Sequence, residues 1–236
     1  MSTSNFKSKI LNDLKKFSDA TFAKHNYKFF KAFKSGYGEG DKFWGIKVPQ
    51  IRLVSEKYWK NISLKETEIL LQNEIHEVRL SAIFILIKKY KSAEKQKPPI
   101  MKTYIRNSKH INNWDLVDLS APNIAGEFWY SNNLKIFWQF AKSCDLWKER
   151  IAMVSTLYFI KKDKFEETIE LAKLFLTHKH DLIHKATGWM LREVGKKNLK
   201  VLTTFLNKYS KSMPRTMLRY SIEKLSVNEK KLYMKK

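Results

Sequence analysis

Four groups of residues have the types and spacing for chemistry. His178, His180 and His184 stand near Asp181, and His180 and His184 are four apart, as metal ligands on one helix face would be. Asp181 is also a good N-cap for a helix beginning at Leu182, which removes it from a ligand set, so this cluster reads as structural. Cys144 is a single thiol in a helical segment with no evident activating partner. The stretch from Gly36 to Gly45 contains Gly-x-Gly-x-Gly, but no strand precedes it, so it is not a dinucleotide-binding turn. The fourth group is one acid, Asp118, with Trp114, Trp189 and a set of basic residues. A carboxylate can face positive charge or take a proton, tryptophan faces attract cations, and basic side chains hold anions. These residues are far apart in the chain, so their case depends on the elements that carry them.

Those elements repeat. Dense apolar stretches at helical spacing open at Arg79, Trp114, Arg150, Lys185 and Arg215, with gaps of 35, 36, 35 and 30 residues. Each gap leaves room for a second helix, the mark of stacked helix pairs. The length matches tetratricopeptide or short HEAT-type units, and the usual tetratricopeptide residues are missing. The expectation is an all-α fold, a HEAT-like helical-repeat α-solenoid forming a single domain over residues 1–236, with a concave basic face. Equivalent positions would line up on that face: Arg79, Trp114, Arg150, Lys185 and Arg215 in one row. Four residues on, Ile83, Asp118, Val154, Trp189 and Arg219 would form the next.

Local signals agree with helices. Ser4 can cap a first helix through Phe17, and a second runs from Thr21 to Phe33. Pro49 suits a first turn, Ser63 and Glu66 form a capping box, Lys97-Pro98-Pro99 marks a break, and Pro214 can start a helix through Leu225. The other five tryptophans (Trp44, Trp59, Trp129, Trp138, Trp147) are assigned to packing.

Composition names the partner class. The 236 residues carry 46 Lys and Arg against 23 Asp and Glu, a formal charge of +23, which points to a polyanion. Only seven of the 46 are Arg, so the planar, directional cations are few. Hydrophobic content of 43% excludes a basic disordered tail, and 12 Gly and Pro residues are too few for a hairpin-rich β fold. One cysteine excludes an internal disulfide framework. No apolar run reaches membrane-spanning length, and Lys7, Lys9, Asp13, Lys15 and Lys16 interrupt any signal-peptide core. A cytoplasmic protein without membrane association is expected.

Asn112-Asn-Trp-Asp-Leu-Val-Asp118 followed by Leu-Ser-Ala-Pro122 resembles the central motif of the AlkD-like DNA alkylation repair family. The likeness extends to Tyr37-Gly-Glu-Gly-Asp-Lys-Phe43, His76-Glu-Val-Arg79, Leu146-Trp-Lys-Glu-Arg-Ile-Ala152, His180-Asp-Leu-Ile-His-Lys-Ala186, Gly188-Trp-Met-Leu-Arg-Glu193 and Met213-Pro-Arg-Thr-Met-Leu-Arg-Tyr220. The resemblance implies a HEAT-like-repeat DNA glycosylase that removes cationic N-alkylated purines, such as N3-alkyladenine and N7-alkylguanine, from double-stranded DNA. By motif position it makes Asp118 the catalytic acid group, Trp114 and Trp189 the aromatics against the lesion, and Arg150 and Arg192 DNA contacts. The repeat rows add Lys185, Arg79, Arg215 and Arg219 as further phosphate contacts. Asn113 stands where some members have a second aromatic. The family's N-terminal aromatic falls at Phe33 or Tyr37, or its position is held by Ala32. No metal or cofactor is implied, and a monomer is expected. The alternative is a non-catalytic HEAT-repeat protein that binds branched or damaged DNA.

Overall fold

The computed structural model describes residues 5–93 and 97–235. The chain, expected as one repeat domain, is organised as two compact units, residues 1–120 and 121–236.

The first unit contains α1 (Phe6–Lys15), α2 (Ala20–Phe29), α3 (Val48–Tyr58), α4 (Leu64–Leu71), α5 (His76–Ser92), α6 (Lys97–Arg106) and α7 (Trp114–Ser120), with a 3₁₀ turn at Ser108–His110. Its centre is α5. Twelve of the seventeen α5 residues are buried, so the helix is covered on every side. Helices α3, α4, α6 and α7 all pack on it. The chain enters α2 and α4 through side-chain caps. Asp19 accepts from the amides of Thr21 and Phe22 at 2.8 and 3.0 Å, and Ser63 and Glu66 close the expected capping box. Asn5 caps α1; Ser4 lies outside the described residues. Helix α2 stops at Phe29, four residues before the expected end. Gly45 is needed at its φ of +76°, where a Cβ would fall 2.0 Å from the Asp19 carbonyl.

The second unit contains a π turn (Ala121–Ala125), α8 (Gly126–Tyr130), α9 (Lys135–Ala141), α10 (Leu146–Lys161), α11 (Glu166–Leu174), α12 (Asp181–Lys197), α13 (Leu199–Tyr209), α14 (Arg215–Ser221) and α15 (Val227–Met234). Pro122 has no amide hydrogen for an α-helical bond, and the backbone widens around it into the π turn. Helix α10 is as thoroughly buried as α5 and packs against α8, α9, α11 and α12. Helix α12 then packs on α14, and a Cβ on Gly188 would meet the Met217 carbonyl at 2.5 Å, so only glycine permits that approach. Helices α11 and α13 fill the intervals between these anchors.

The result is an all-α helical-repeat fold. Among the described residues the only β feature is an isolated bridge between Lys42 and Ile75, and no helix is long and apolar enough to cross a membrane. Helices α5, α7, α10, α12 and α14 begin at residues 76, 114, 146, 181 and 215, near the expected period. The register of the expected rows needs correction. Trp114 and Arg215 open their helices, whereas Arg150 and Lys185 are the fifth residues of theirs and Arg79 the fourth. Counted from the helix starts, Asp118 therefore corresponds to Leu80, Arg150, Lys185 and Arg219. In α10, α12 and α14 the position is basic, and in α7 it is an acid.

Candidate active site

Trp114 and Asp118 lie one turn apart on α7, and both are half-buried. What places this turn is a buried polar network beneath it. Asp41, at the end of the glycine-rich loop, accepts from Arg79 Nη2 at 2.6 Å, His76 Nδ1 at 3.1 Å, Asn112 Nδ2 at 3.1 Å and Asn113 Nδ2 at 3.3 Å. His76 Nε2 donates to Asp115 Oδ2 at 2.8 Å. The imidazole thus links a carboxylate of the loop to a carboxylate on α7. Arg79 also donates to the carbonyls of Asn73 and Glu74.

Charge accounts for the arrangement. Burial opposes a charge on His76, but the charge and hydrogen bond of Asp115 and the hydrogen bond of Asp41 outweigh it, and its pKa is pushed up to about 9. Burial likewise works against the Asp41 carboxylate, yet the His76 hydrogen bond and the Arg79 guanidinium hold it below the ordinary range. Near neutral pH the cluster holds two carboxylates, one imidazolium and one guanidinium, which leaves little net charge to bury.

Aromatic packing completes the placement. Phe30 stacks on His76 with centroids 4.7 Å apart and lies against Trp114 at 5.5 Å. Phe29 meets Trp114 edge-on at 5.8 Å. At the other end of α7, Ser120 Oγ is 2.9 Å from the buried Tyr104 hydroxyl.

In the second unit, Trp189 is half-buried on α12 and its indole N–H donates to Glu193 Oε1 at 3.2 Å. Arg192, on the next turn, pairs with Glu223 and has its Nε 3.5 Å from Glu193 Oε1. Lys185 pairs with Asp181 at 2.9 Å. Arg215 donates to the Met234 carbonyl at 3.3 Å, and Arg219 is exposed. Arg150 is only 4% exposed and donates to the Leu182 carbonyl.

Two expectations change here. Arg79 is only 3% exposed and committed to Asp41, and Arg150 is equally buried, so neither guanidinium lines a surface row. Their charge suggests a surface place; their partners hold them inside. The helix α12 cap is His180, whose Nδ1 accepts from the Leu182 amide, while Asp181 sits in the first turn. His178 bonds Glu149, and His184 bonds the His178 carbonyl.

Asp41, His76 and Asp115 as a network, and Phe29 and Phe30 as the rings against Trp114, are functional residues outside the expected set. Asp41 and His76 do fall within the quoted motifs, but nothing in their spacing joins residues 35 apart. Of the expected N-terminal aromatics, Phe33 is exposed and Tyr37 donates to the Phe29 carbonyl at 3.2 Å; Ala32 is buried.

Fold and site together define an all-α helical-repeat protein that presents a carboxylate beside an aromatic ring. The family model for DNA alkylation repair enzymes matches residues 10–225, and the chain belongs to that family. The solved structure of a predicted DNA alkylation repair enzyme from Enterococcus faecalis is similar, with a TM-score of 0.73 at 18% identity over 89% of this chain and 97% of that one. A comparison with curated proteins finds no match. The family places the chain in the repair of alkylation damage, with DNA as its substrate.

Proposed function

We propose that the protein is a monofunctional DNA glycosylase that hydrolyses the N-glycosidic bond of cationic N-alkylated purines in double-stranded DNA. The observation that carries this reading is Asp118 one turn from Trp114 on a helix fixed from below by a fully charged, buried network. A catalytic carboxylate acts through its position, and a site that does not reorganise during reaction stabilises charge most effectively.

The chemistry is modest. Alkylation at N3 or N7 gives the base a positive charge, so the base needs no strong general acid to leave. The C1′–N bond breaks with its electron pair going to the base, which departs neutral. Positive charge develops on the sugar, where the Asp118 carboxylate faces it. Water then adds to C1′ and gives up a proton to Asp118 or to solvent. Trp114 and Trp189 offer faces to the cationic base and sugar, worth roughly 0.5–2 kcal/mol each. Arg192, Lys185, Arg215 and Arg219 are the proposed phosphate contacts. Arg79 and Arg150 support helices in this reading. No step requires a metal or nucleotide cofactor.

The test is release of N7-methylguanine or N3-methyladenine from methylated duplex DNA, leaving an abasic site. Asp118→Asn should slow single-turnover release by about 100-fold or more while leaving duplex binding in place. Full activity in that variant would remove Asp118 from catalysis. Tight binding without any release by the unmodified protein would identify a non-catalytic binder of damaged or branched DNA instead.

A further inference from the structure

Helix α12 fixes where Trp189 starts but not which way its ring turns. Gly188, the residue before it, lies against the Met217 carbonyl, and α12 packs on α14, so the backbone of this turn is held. The ring is only half-buried, so packing covers part of it. The second side-chain torsion of an aromatic residue is broad and roughly two-fold. Half a rotation about it exchanges the N–H edge of the indole for the benzo edge. A polar contact is what tells these edges apart. Glu193 stands four residues on, and helical side chains lean back over the preceding turn. Its carboxylate therefore reaches the indole, and the Trp189 N–H donates to Oε1 at 3.2 Å. The same carboxylate accepts from Lys196 Nζ at 2.8 and 2.9 Å. The buried Nε of Arg192, which makes no hydrogen bond, lies 3.5 Å from Oε1. The Glu193 side chain is 18% exposed against 47% for Glu223, so its bonds are less screened.

Three N–H groups thus surround one acid, and they differ in what else they can bond. Lysine and arginine side chains can leave a carboxylate for a phosphate. An indole has a single donor on a ring with two torsions, so it stays with the acceptor beside it. We propose that Glu193 is the positioning residue for Trp189: its carboxylate holds the N–H edge of the indole and so sets the face that the ring offers to the lesion. Engagement of Arg192 or Lys196 by the DNA backbone leaves that bond in place. Glu193 touches neither base nor sugar and acts only through Trp189. An aromatic ring attracts a cation over its face and not at its edge, so a turned ring loses rate. Duplex binding, which depends on phosphates, is spared. The proposal rests on the functional reading for what Trp189 faces, whereas the bond that orients the ring is measured without it.

The experiment compares Glu193→Gln with Glu193→Leu. Both remove the same charge, and only Gln keeps an acceptor for the indole. Single-turnover release of N7-methylguanine from methylated duplex, at saturating enzyme, should fall by about tenfold in Glu193→Leu and stay within about threefold in Glu193→Gln. The enzyme concentration giving half the maximal rate should be alike in the two. In a Trp189→Phe background, where the ring has no N–H, Glu193→Leu should cost nothing further. Equal losses in the two variants, a full rate in Glu193→Leu, or the same cost in the Trp189→Phe background overturns the proposal. Glu193→Ala takes the place of Glu193→Leu if circular dichroism shows that the latter has lost helix. The bond itself is read by NMR from exchange of the Trp189 indole hydrogen with water, its resonance being the one that Trp189→Phe lacks. Exchange should be about fivefold or more faster in Glu193→Leu than in the unmodified protein. Base release with unchanged exchange in Glu193→Leu overturns the positioning and leaves the glycosylase reading standing. Absence of release with faster exchange in Glu193→Leu rejects the glycosylase reading and leaves the orienting bond standing.

Discussion

The two tryptophans expected at the lesion are held by opposite means. Under Trp114, the carboxylates and cations are buried: Asp41, His76 and Arg79 are almost wholly out of water. Around Trp189 the same kinds of residues are near solvent, with Glu223 about half exposed and paired to Arg192. A buried network is rigid because removing any member strands a charge in a low dielectric. A surface network adds little to stability and can exchange partners. The first arrangement suits a helix turn that must stay in place. The second suits side chains that must let go of protein partners to take hold of DNA.

The largest effect should come from breaking the buried side. Asp41→Ala leaves Arg79 and His76 without their shared carboxylate, and urea denaturation should show a loss of about 3–5 kcal/mol. A cost within the range of ordinary surface substitutions would show that water or another acid replaces Asp41.

The next effect is in pH. Folding raises the His76 pKa from its ordinary 6.5 to about 9. The imidazolium therefore contributes its full stabilisation below pH 6.5, and that contribution is lost as pH rises through 9. The amount is on the order of a few kcal/mol. Urea midpoints of the unmodified protein should fall between about pH 6 and about pH 10, and His76→Gln should flatten that part of the profile. An identical pH profile in both proteins would show that His76 is not the titrating group.

How much of this was legible in the sequence follows from the range of each interaction. The helical repeat was legible because α5 and α10 carry dense apolar stretches that are buried nearly all round, and such stretches recur at a visible period. The start was legible at Trp114 and Arg215 but not in α5, α10 and α12. Arg79 looked like a helix opening, yet the helix begins at His76, whose amide donates to the Lys42 carbonyl. The pairing of Trp114 with Asp118 on one turn was readable because both belong to one short motif. The burial of Arg79 was not readable, because its carboxylate partner lies 38 residues away in a loop. Phe29 was hidden by the helix end: with α2 drawn to Phe33, attention falls on the later aromatics, and the ring that meets Trp114 is the last residue of the actual helix.

The smallest effect should come from the exposed side. Arg192 is paired with Glu223, so a phosphate must displace that carboxylate before it can take the guanidinium. Glu223→Gln removes the competitor and keeps the shape. Thermal stability should hardly change, since the Glu223 carboxylate is about half exposed and its pairing is screened by water and salt. Duplex binding at low salt should tighten by roughly two- to fivefold, and the gain should shrink as salt rises. A weaker complex would mean that Glu223 aims Arg192 at its phosphate instead of competing for it. The network around Trp189 would then be a fixed support like the one under Trp114, and the contrast between the two units would fail at this point.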